Sequence, residues 1–230
     1  MRAVYQPGLI QGSQYSLKGD ALHHLLHVVR IEVGEDVLLL AGDGTGAVAR
    51  VESATKKEIQ LKHLKEVKAE RMYEYDLILG IPKKEALESS LKAATELGVR
   101  RIILVRSEYS QEKLPDSERV TKLLVSAVEQ ANAFYFPELR MMTWEEVPWH
   151  EYGEILLMNS QSDEAKAATL TQGPATALVV GPEGGFSPRE LAYFQTLGNL
   201  RSIQLPTPIL RTLTAVPTVV GFLLGRLLNR

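Results

Sequence analysis

The chain has 230 residues, 45% of them hydrophobic and 23% charged, with a formal net charge of −2. That length supports a sizeable core, and the composition excludes a disordered chain. The absence of cysteine excludes disulfides, thiolate metal sites and a cysteine nucleophile, and five histidines leave little material for a metal centre.

In chain order, the opening Met1-Arg2-Ala3-Val4-Tyr5-Gln6-Pro7-Gly8 lacks the apolar core of an export signal, so the cytoplasm is the expected location. A helix is predicted between Asp20 and Ile31, with Leu22, Leu25, Leu26 and Val29 at helical spacing. Val37–Ala41, Ala47–Glu52 and Ile59–Leu64 read as strands, with a turn at Asp43-Gly44. Strands this short and close together predict a small β-barrel or sandwich. The polar run Lys65–Met72 marks a boundary between a first domain, residues 1–70, and a second, residues 71–230.

Beyond it, strands and helices alternate. Strands are predicted at Tyr73–Gly80, Arg101–Arg106, Ile155–Met158, Ala175–Gly181 and Ser202–Leu205. Helices are predicted at Lys83–Leu97, from an N-cap at Asp116 to about Ala133, from the capping box Ser187-Pro188-Arg189-Glu190 to about Leu197, and from about Thr214 to Leu228. The alternation argues for an α/β domain with a mostly parallel sheet. The apolar stretch Val216–Leu228 is too short and too interrupted to span a bilayer, so no membrane is expected.

Ligands of open α/β sheets sit beyond the carboxyl ends of the strands, and two segments fall there. Gly181-Pro182-Glu183-Gly184-Gly185-Phe186-Ser187 lies between a buried strand and a capped helix, where glycines let the backbone approach a ligand closely. It lacks the Lys-Ser/Thr ending of a P-loop and the glycine spacing of a dinucleotide fingerprint. Leu205–Thr214 is stiffened by Pro206 and Pro208 and carries one charge, Arg211. Stiff apolar walls beside a glycine loop suit a flat heteroaromatic ring. Alone, either segment also reads as a plain connection; a nucleotide-binding regulator would use the first for phosphate.

Taken in order, Gly-Pro-Glu-Gly-Gly-Phe-Ser at 181–187 and Ile-Leu-Arg-Thr-Leu-Thr-Ala at 209–215 resemble the RsmE family of 16S rRNA (uridine-N3)-methyltransferases, of the SPOUT superfamily. His23–Arg30 and Gly42-Asp43-Gly44 look like that family's N-terminal PUA-like β-barrel; Glu96–Val99 and Ala127–Gln130 look like its middle motifs. The resemblance implies a C-terminal SPOUT domain with a trefoil knot, a homodimer with active sites at the subunit interface, and S-adenosylmethionine as methyl donor. It places the donor against Leu157, Met158, Gly181, Pro182, Glu183, Gly184, Gly185, Leu205, Ile209, Leu210, Arg211 and Thr212, and makes the small ribosomal subunit the partner.

Uridine N3 must lose a proton before or as it attacks the methyl group. Arg211 is the candidate to stabilise the charge that spreads onto O2 and O4; it also suits the donor's carboxylate or an RNA phosphate. Glu183 fits a general base, a hydrogen-bond partner of the donor, or a charge facing a helix dipole. The substrate has to be gripped away from the pocket, and Arg2, Lys18, His24, Arg30, Lys56 and Lys57 are the candidates, with a solvated surface as the competing reading. His23, His24 and His27 share a helical face but lack a neighbouring carboxylate, so no metal is expected. The sequence departs from the family at Leu213, where a glutamate is usual, at Pro206, and around Asn132, where no arginine follows Gln130. These departures leave room for a relative with a different RNA target or a catalytically impaired RNA-binding homologue.

Overall fold

The computed structural model describes residues 1–8, 12, 14–23, 25–26, 30–71, 73–110, 116–159 and 175–228, the side chains of 20, 227 and 228 excepted. The chain divides into two compact units, Met1–Arg71 with Val125–Phe136, and Met72–Leu124 with Pro137–Arg230.

The first unit is built on a five-stranded sheet of β1 (Arg2–Tyr5), β2 (Gln14–Leu17), β3 (Asp36–Leu40), β4 (Thr45–Ala54) and β5 (Ile59–Lys68), in the order β1-β3-β4-β5-β2. β1 pairs parallel with β3, and the other pairs are antiparallel. The apolar run of β3 is buried on both faces. Val37 and Leu39 join one core with Val4, Leu17, Leu25 and Leu61, while Leu38 and Leu40 join another with Ala3, Val48 and Val128. Successive side chains of a strand point to opposite faces, so two cores read as one uninterrupted hydrophobic run. β5 continues through the charged Lys65–Lys68, which pairs with β4. Of the helix predicted between Asp20 and Ile31, α1 covers Gly19–His23; Arg30 and Ile31 belong to no helix, and His24 and residues 27–29 lie outside the described residues.

The second core contains Val128 because the chain returns to this unit after leaving it. The turn at 42–44 receives the returning segment: Phe134 O accepts from Gly44 N at 3.0 Å, and Phe136 N donates to Gly42 O at 2.8 Å. Gly44 has φ +97°, and a Cβ there would lie 2.4 Å from the Tyr135 hydroxyl, so only glycine fits. Glu129 Oε1 accepts from Tyr5 N at 3.0 Å, and the Tyr5 and Phe136 rings stack at 4.7 Å.

The second unit holds a six-stranded sheet of β6 (Tyr75–Gly80), β7 (Arg101–Val105), β8 (Glu138–Met142), β9 (Glu154–Met158), β10 (Thr176–Val180) and β11 (Leu200–Ile203), in the order β11-β9-β10-β6-β7-β8. Every neighbouring pair is parallel. The helices are α2 (Lys84–Glu96), α3 (Ser117–Ala131), α4 (Pro188–Gln195) and α5 (Thr212–Leu228). α3 starts in this unit and ends in the first, closed by Asn132 at φ 52°. α5 packs on α2 and β10. The strands β6, β7, β9 and β10 are almost wholly buried, as a parallel sheet covered on both faces requires. Among the described residues, no helix is long and apolar enough to cross a membrane.

At the amino ends of β6 and β7 a buried charge cluster ties the sheet together. Asp76, fully buried, accepts from Arg100 at 2.8 and 2.9 Å, from Arg101 Nε at 2.6 Å and from the Tyr152 hydroxyl at 2.9 Å. The carboxyl ends of the same sheet carry the loops described next.

Candidate active site

β10 ends at Val180 and the glycine loop begins. Pro182 O accepts from Gly185 N at 2.9 Å, closing a turn in which Gly185 has φ +71°. Ser187 then caps α4, its hydroxyl accepting from Glu190 N at 3.1 Å while Glu190 Oε2 accepts from Ser187 N at 2.8 Å. The second loop leaves β11 at Ile203, turns where Thr207 N donates to Leu205 O at 2.7 Å, and enters α5 where Arg211 O accepts from Thr214 and Ala215 N, both at 2.8 Å. A hydrogen bond joins the loops: the buried Thr212 hydroxyl donates to Gly181 O at 3.1 Å.

Between the loops lies a cavity of about 360 Å³, within the range of small-molecule sites. Met158, Gly181, Pro182, Glu183, Gly184, Gly185, Leu205, Ile209, Leu210, Arg211 and Thr212 all line it, so most of the sequence-predicted donor-site residues come together. Leu157 does not: it is buried among Ile155, Val179 and Phe194. Neighbouring residues of a strand face opposite ways, so Met158 reaches the cavity and Leu157 turns into the core. Asn159, Phe186, Gln204 and Ala215 also line the cavity without having been predicted. Asn159 and Gln204 stand just beyond strand ends, a position that residue type alone did not single out.

Glu183 and Arg211 are the only ionisable side chains in the described lining, and both are exposed. The Glu183 carboxylate accepts from Lys83 N at 3.2 and 3.3 Å. Lys83 is the N-cap of α2 and makes no side-chain cap of its own. Glu183 therefore caps a helix one hundred residues away, where a negative charge also meets the positive end of the dipole.

Glu190 was legible only as a capping-box residue. Its other oxygen, Oε1, accepts from Ser107 Oγ at 2.7 Å, Glu108 N at 3.1 Å and Trp144 Nε1 at 2.7 Å. Burial alone would raise this carboxyl's pKa, but the hydrogen bonds from Ser187, Ser107, Trp144 and Glu108 outweigh it and hold the group below the usual range.

The predicted RNA contacts lie in the first unit. Arg2 pairs with Glu35 at 2.9 Å and Lys18 with Glu58 at 3.5 Å. Arg30, Lys56 and Lys57 are exposed, and His24 lies outside the described residues. Among the described residues, no group of three or more His, Asp or Glu is placed to hold a metal ion.

A parallel α/β sheet whose carboxyl edge carries a glycine loop and a proline-stiffened loop over one cavity is an architecture that holds a small-molecule ligand. The chain belongs to the RNA methyltransferase family: the family's RNA methyltransferase domain matches residues 69–224, and its RNA methyltransferase PUA domain matches residues 17–63. A Rickettsia conorii protein named ribosomal RNA small subunit methyltransferase E is 26% identical over 221 residues, covering 93% of this chain and 90% of its own. The Bacillus subtilis protein of the same name is 26% identical, covering 77% of each. Among solved structures, a methyltransferase from Legionella pneumophila in complex with the bound cofactor SAM superposes with TM-score 0.85 at 28% identity, covering 97% of this chain and 96% of that one. The Neisseria gonorrhoeae ribosomal RNA small subunit methyltransferase E shares the fold with TM-score 0.87 at 24% identity, covering 98% and 97%.

Proposed function

We propose that this protein methylates N3 of a uridine in the 16S RNA of the small ribosomal subunit, using S-adenosylmethionine as donor, and that it works in the cytoplasm as a homodimer. The observation that carries the reading is the cavity closed by the Thr212–Gly181 bond, in a chain of the RNA methyltransferase family. The names of the relatives, and the cofactor bound in the Legionella structure, support the substrate and the donor.

The lining suits that donor. Gly181, Gly184 and Gly185 present backbone beside the cavity, and Met158, Leu205, Ile209 and Leu210 supply apolar walls for an adenine ring. S-adenosylmethionine supplies a sulfonium-activated methyl group when bound. Arg211, the one cation of the described lining, stabilises the negative charge that reaches uracil O2 and O4 as N3 loses its proton. Glu183 holds the glycine loop on the α2 N-terminus, which keeps the backbone donors in place through the reaction. Much of the acceleration then comes from alignment of methyl group and nitrogen.

In this reading residues 71–230 form a SPOUT methyltransferase domain with the superfamily's trefoil knot. Residues 1–70 form the PUA-like domain that grips RNA, through Arg2, Lys18, Arg30, Lys56 and Lys57 and, outside the described residues, His24.

The test has two arms. Calorimetry with S-adenosylhomocysteine reports the pocket. Methyl transfer to small subunits lacking the modification, with mass spectrometry of the product, reports the base. Failure of the first arm removes the donor assignment; a methyl group on another base removes the uridine. Leu213, where the resembled family has a glutamate, favours a second reading, an RNA-binding homologue that binds the donor without transferring methyl. Binding without transfer in the same two arms is its signature.

A further inference from the structure

The hydrogen bonds of Glu190 go beyond what a helix cap needs. A capping-box glutamate satisfies one backbone N–H at its own N-cap. Here the second oxygen holds Ser107 and Glu108, more than eighty residues earlier, together with the Trp144 indole. The tie bends the chain after β7 into a closed turn, in which Ser107 N donates to Ser110 Oγ at 3.1 Å and Ser110 N to Ser107 O at 3.0 Å. Tyr109 sits in that turn, 44% exposed, although an aromatic ring of its size is usually well covered.

The ring is held against the pocket rim. A Cβ built on Gly184, a lining residue, would lie 2.9 Å from Tyr109 Cβ and 3.4 Å from its Cγ. Gly184 thus has no side chain because Tyr109 occupies that space. Packing alone would call for an apolar side chain that buries itself there, whereas Tyr109 keeps nearly half its surface in solvent while it lies against a glycine that lines the cavity. Arg106, one residue before the tied turn, and Arg189, in the first turn of α4, are exposed as well.

We infer that Tyr109, held on Gly184 by the tie from Ser107 to Glu190, is the platform on which an RNA base stacks as it reaches the pocket. Any base offers a π-face to an aromatic ring, so the ring contributes to RNA affinity and to presentation of the acceptor, not to choice of donor. Tyr109 is here a substrate-contacting residue and Glu190 a positioning residue. The inference rests on the reading of the cavity as a methyl-donor pocket facing RNA.

The experiment uses the full chain with small subunits, or 16S RNA, lacking the modification. Tyr109→Ala is expected to lower kcat/KM for RNA about tenfold to a hundredfold, mainly through KM, and to leave S-adenosylhomocysteine affinity within about twofold. Tyr109→Phe keeps the ring and should stay within about threefold of wild type. Ser107→Ala removes one of the two hydrogen bonds that tie the loop to Glu190, the Glu108 N–H remaining, and leaves the α4 cap untouched. It should show a smaller rise in KM, and adding it to Tyr109→Ala should cost nothing further. Wild-type turnover in Tyr109→Ala, an equal loss in Tyr109→Phe, or a parallel loss of S-adenosylhomocysteine affinity each overturns the inference and leaves the enzyme assignment standing. A wild-type protein that neither binds S-adenosylhomocysteine nor modifies RNA overturns the assignment itself, and the platform with it.

Discussion

Thr212 and Gly181 stand thirty-one residues apart in sequence, and the hydroxyl of the first donates to the carbonyl of the second at 3.1 Å. The bond is buried, so loss of the hydroxyl takes this donor from the Gly181 carbonyl where water has little access. Thr212→Val keeps the shape and removes the donor. It should lower stability by about 1–3 kcal/mol and weaken S-adenosylhomocysteine binding, because part of that binding then has to restore the loop geometry. Thermal unfolding and calorimetry read the two effects; an unchanged affinity would show that each loop is held independently.

Gly184→Val tests the other wall. The added side chain meets Tyr109 Cβ, for which the Gly184 Cβ position is only 2.9 Å away, and the strain falls on the glycine loop and the tied turn together. Overpacking of this kind costs about 1–3 kcal/mol. Donor affinity should fall severely, with the circular dichroism spectrum retained. Wild-type affinity in the calorimeter would contradict the assignment of this loop to the pocket.

The two pocket loops were legible because each is a continuous stretch: glycine and proline constrain the backbone where they stand, and a strand-to-helix junction is visible in the local pattern. What those loops touch was not legible. The partner of Glu183 is a backbone N–H at Lys83, and the partners of Glu190 Oε1 come from Ser107, Glu108 and Trp144. No spacing rule connects positions that stand 46, 83 or 100 residues apart. The edge strand β8 escaped prediction for a different reason. Glu138–Met142 is only partly buried and mixes charge with methionine, so neither alternation nor an apolar run marks it. The return of Val125–Phe136 to the first unit escaped because an amphipathic helix announces its apolar stripe but not what covers it.

Glu183 and Arg211 share the cavity mouth, and substitution separates their roles. Glu183→Gln keeps an acceptor for Lys83 N and loses the charge, so a residue that only holds the loop should retain most turnover. Glu183→Ala should lose about 1 kcal/mol of stability, the usual worth of a helix cap. Arg211→Ala should abolish most methyl transfer with the fold intact. Turnover assays with the native RNA decide both: a collapse of kcat in Glu183→Gln without loss of stability returns the base to Glu183, and full activity in Arg211→Ala removes Arg211 from the chemistry.

Asp76 makes the stability of the second unit depend on pH. Burial by itself would raise its pKa, but hydrogen bonds from Arg100, Arg101 and Tyr152 prevail and hold the carboxyl below its ordinary value of 3.8. A carboxyl whose folded pKa lies below its unfolded one contributes stability that is fully present above the unfolded pKa. That contribution is lost as pH falls through the folded value. Asp76→Asn leaves the buried Arg101 and the part-buried Arg100 against a neutral amide, with Glu151 and Glu74 as their remaining partners, so the loss near neutrality should stay at or below the lower end of the about 3–5 kcal/mol that breaking a buried ion pair costs. The gap between wild type and variant should hold from neutral pH down to about pH 5, then narrow as Asp76 in the wild type takes up its proton. Urea unfolding at neutral pH and near pH 3 measures it. A gap of the same size at both would mean that shape, not charge, sets the contribution of Asp76, and that acid unfolding begins elsewhere in the molecule.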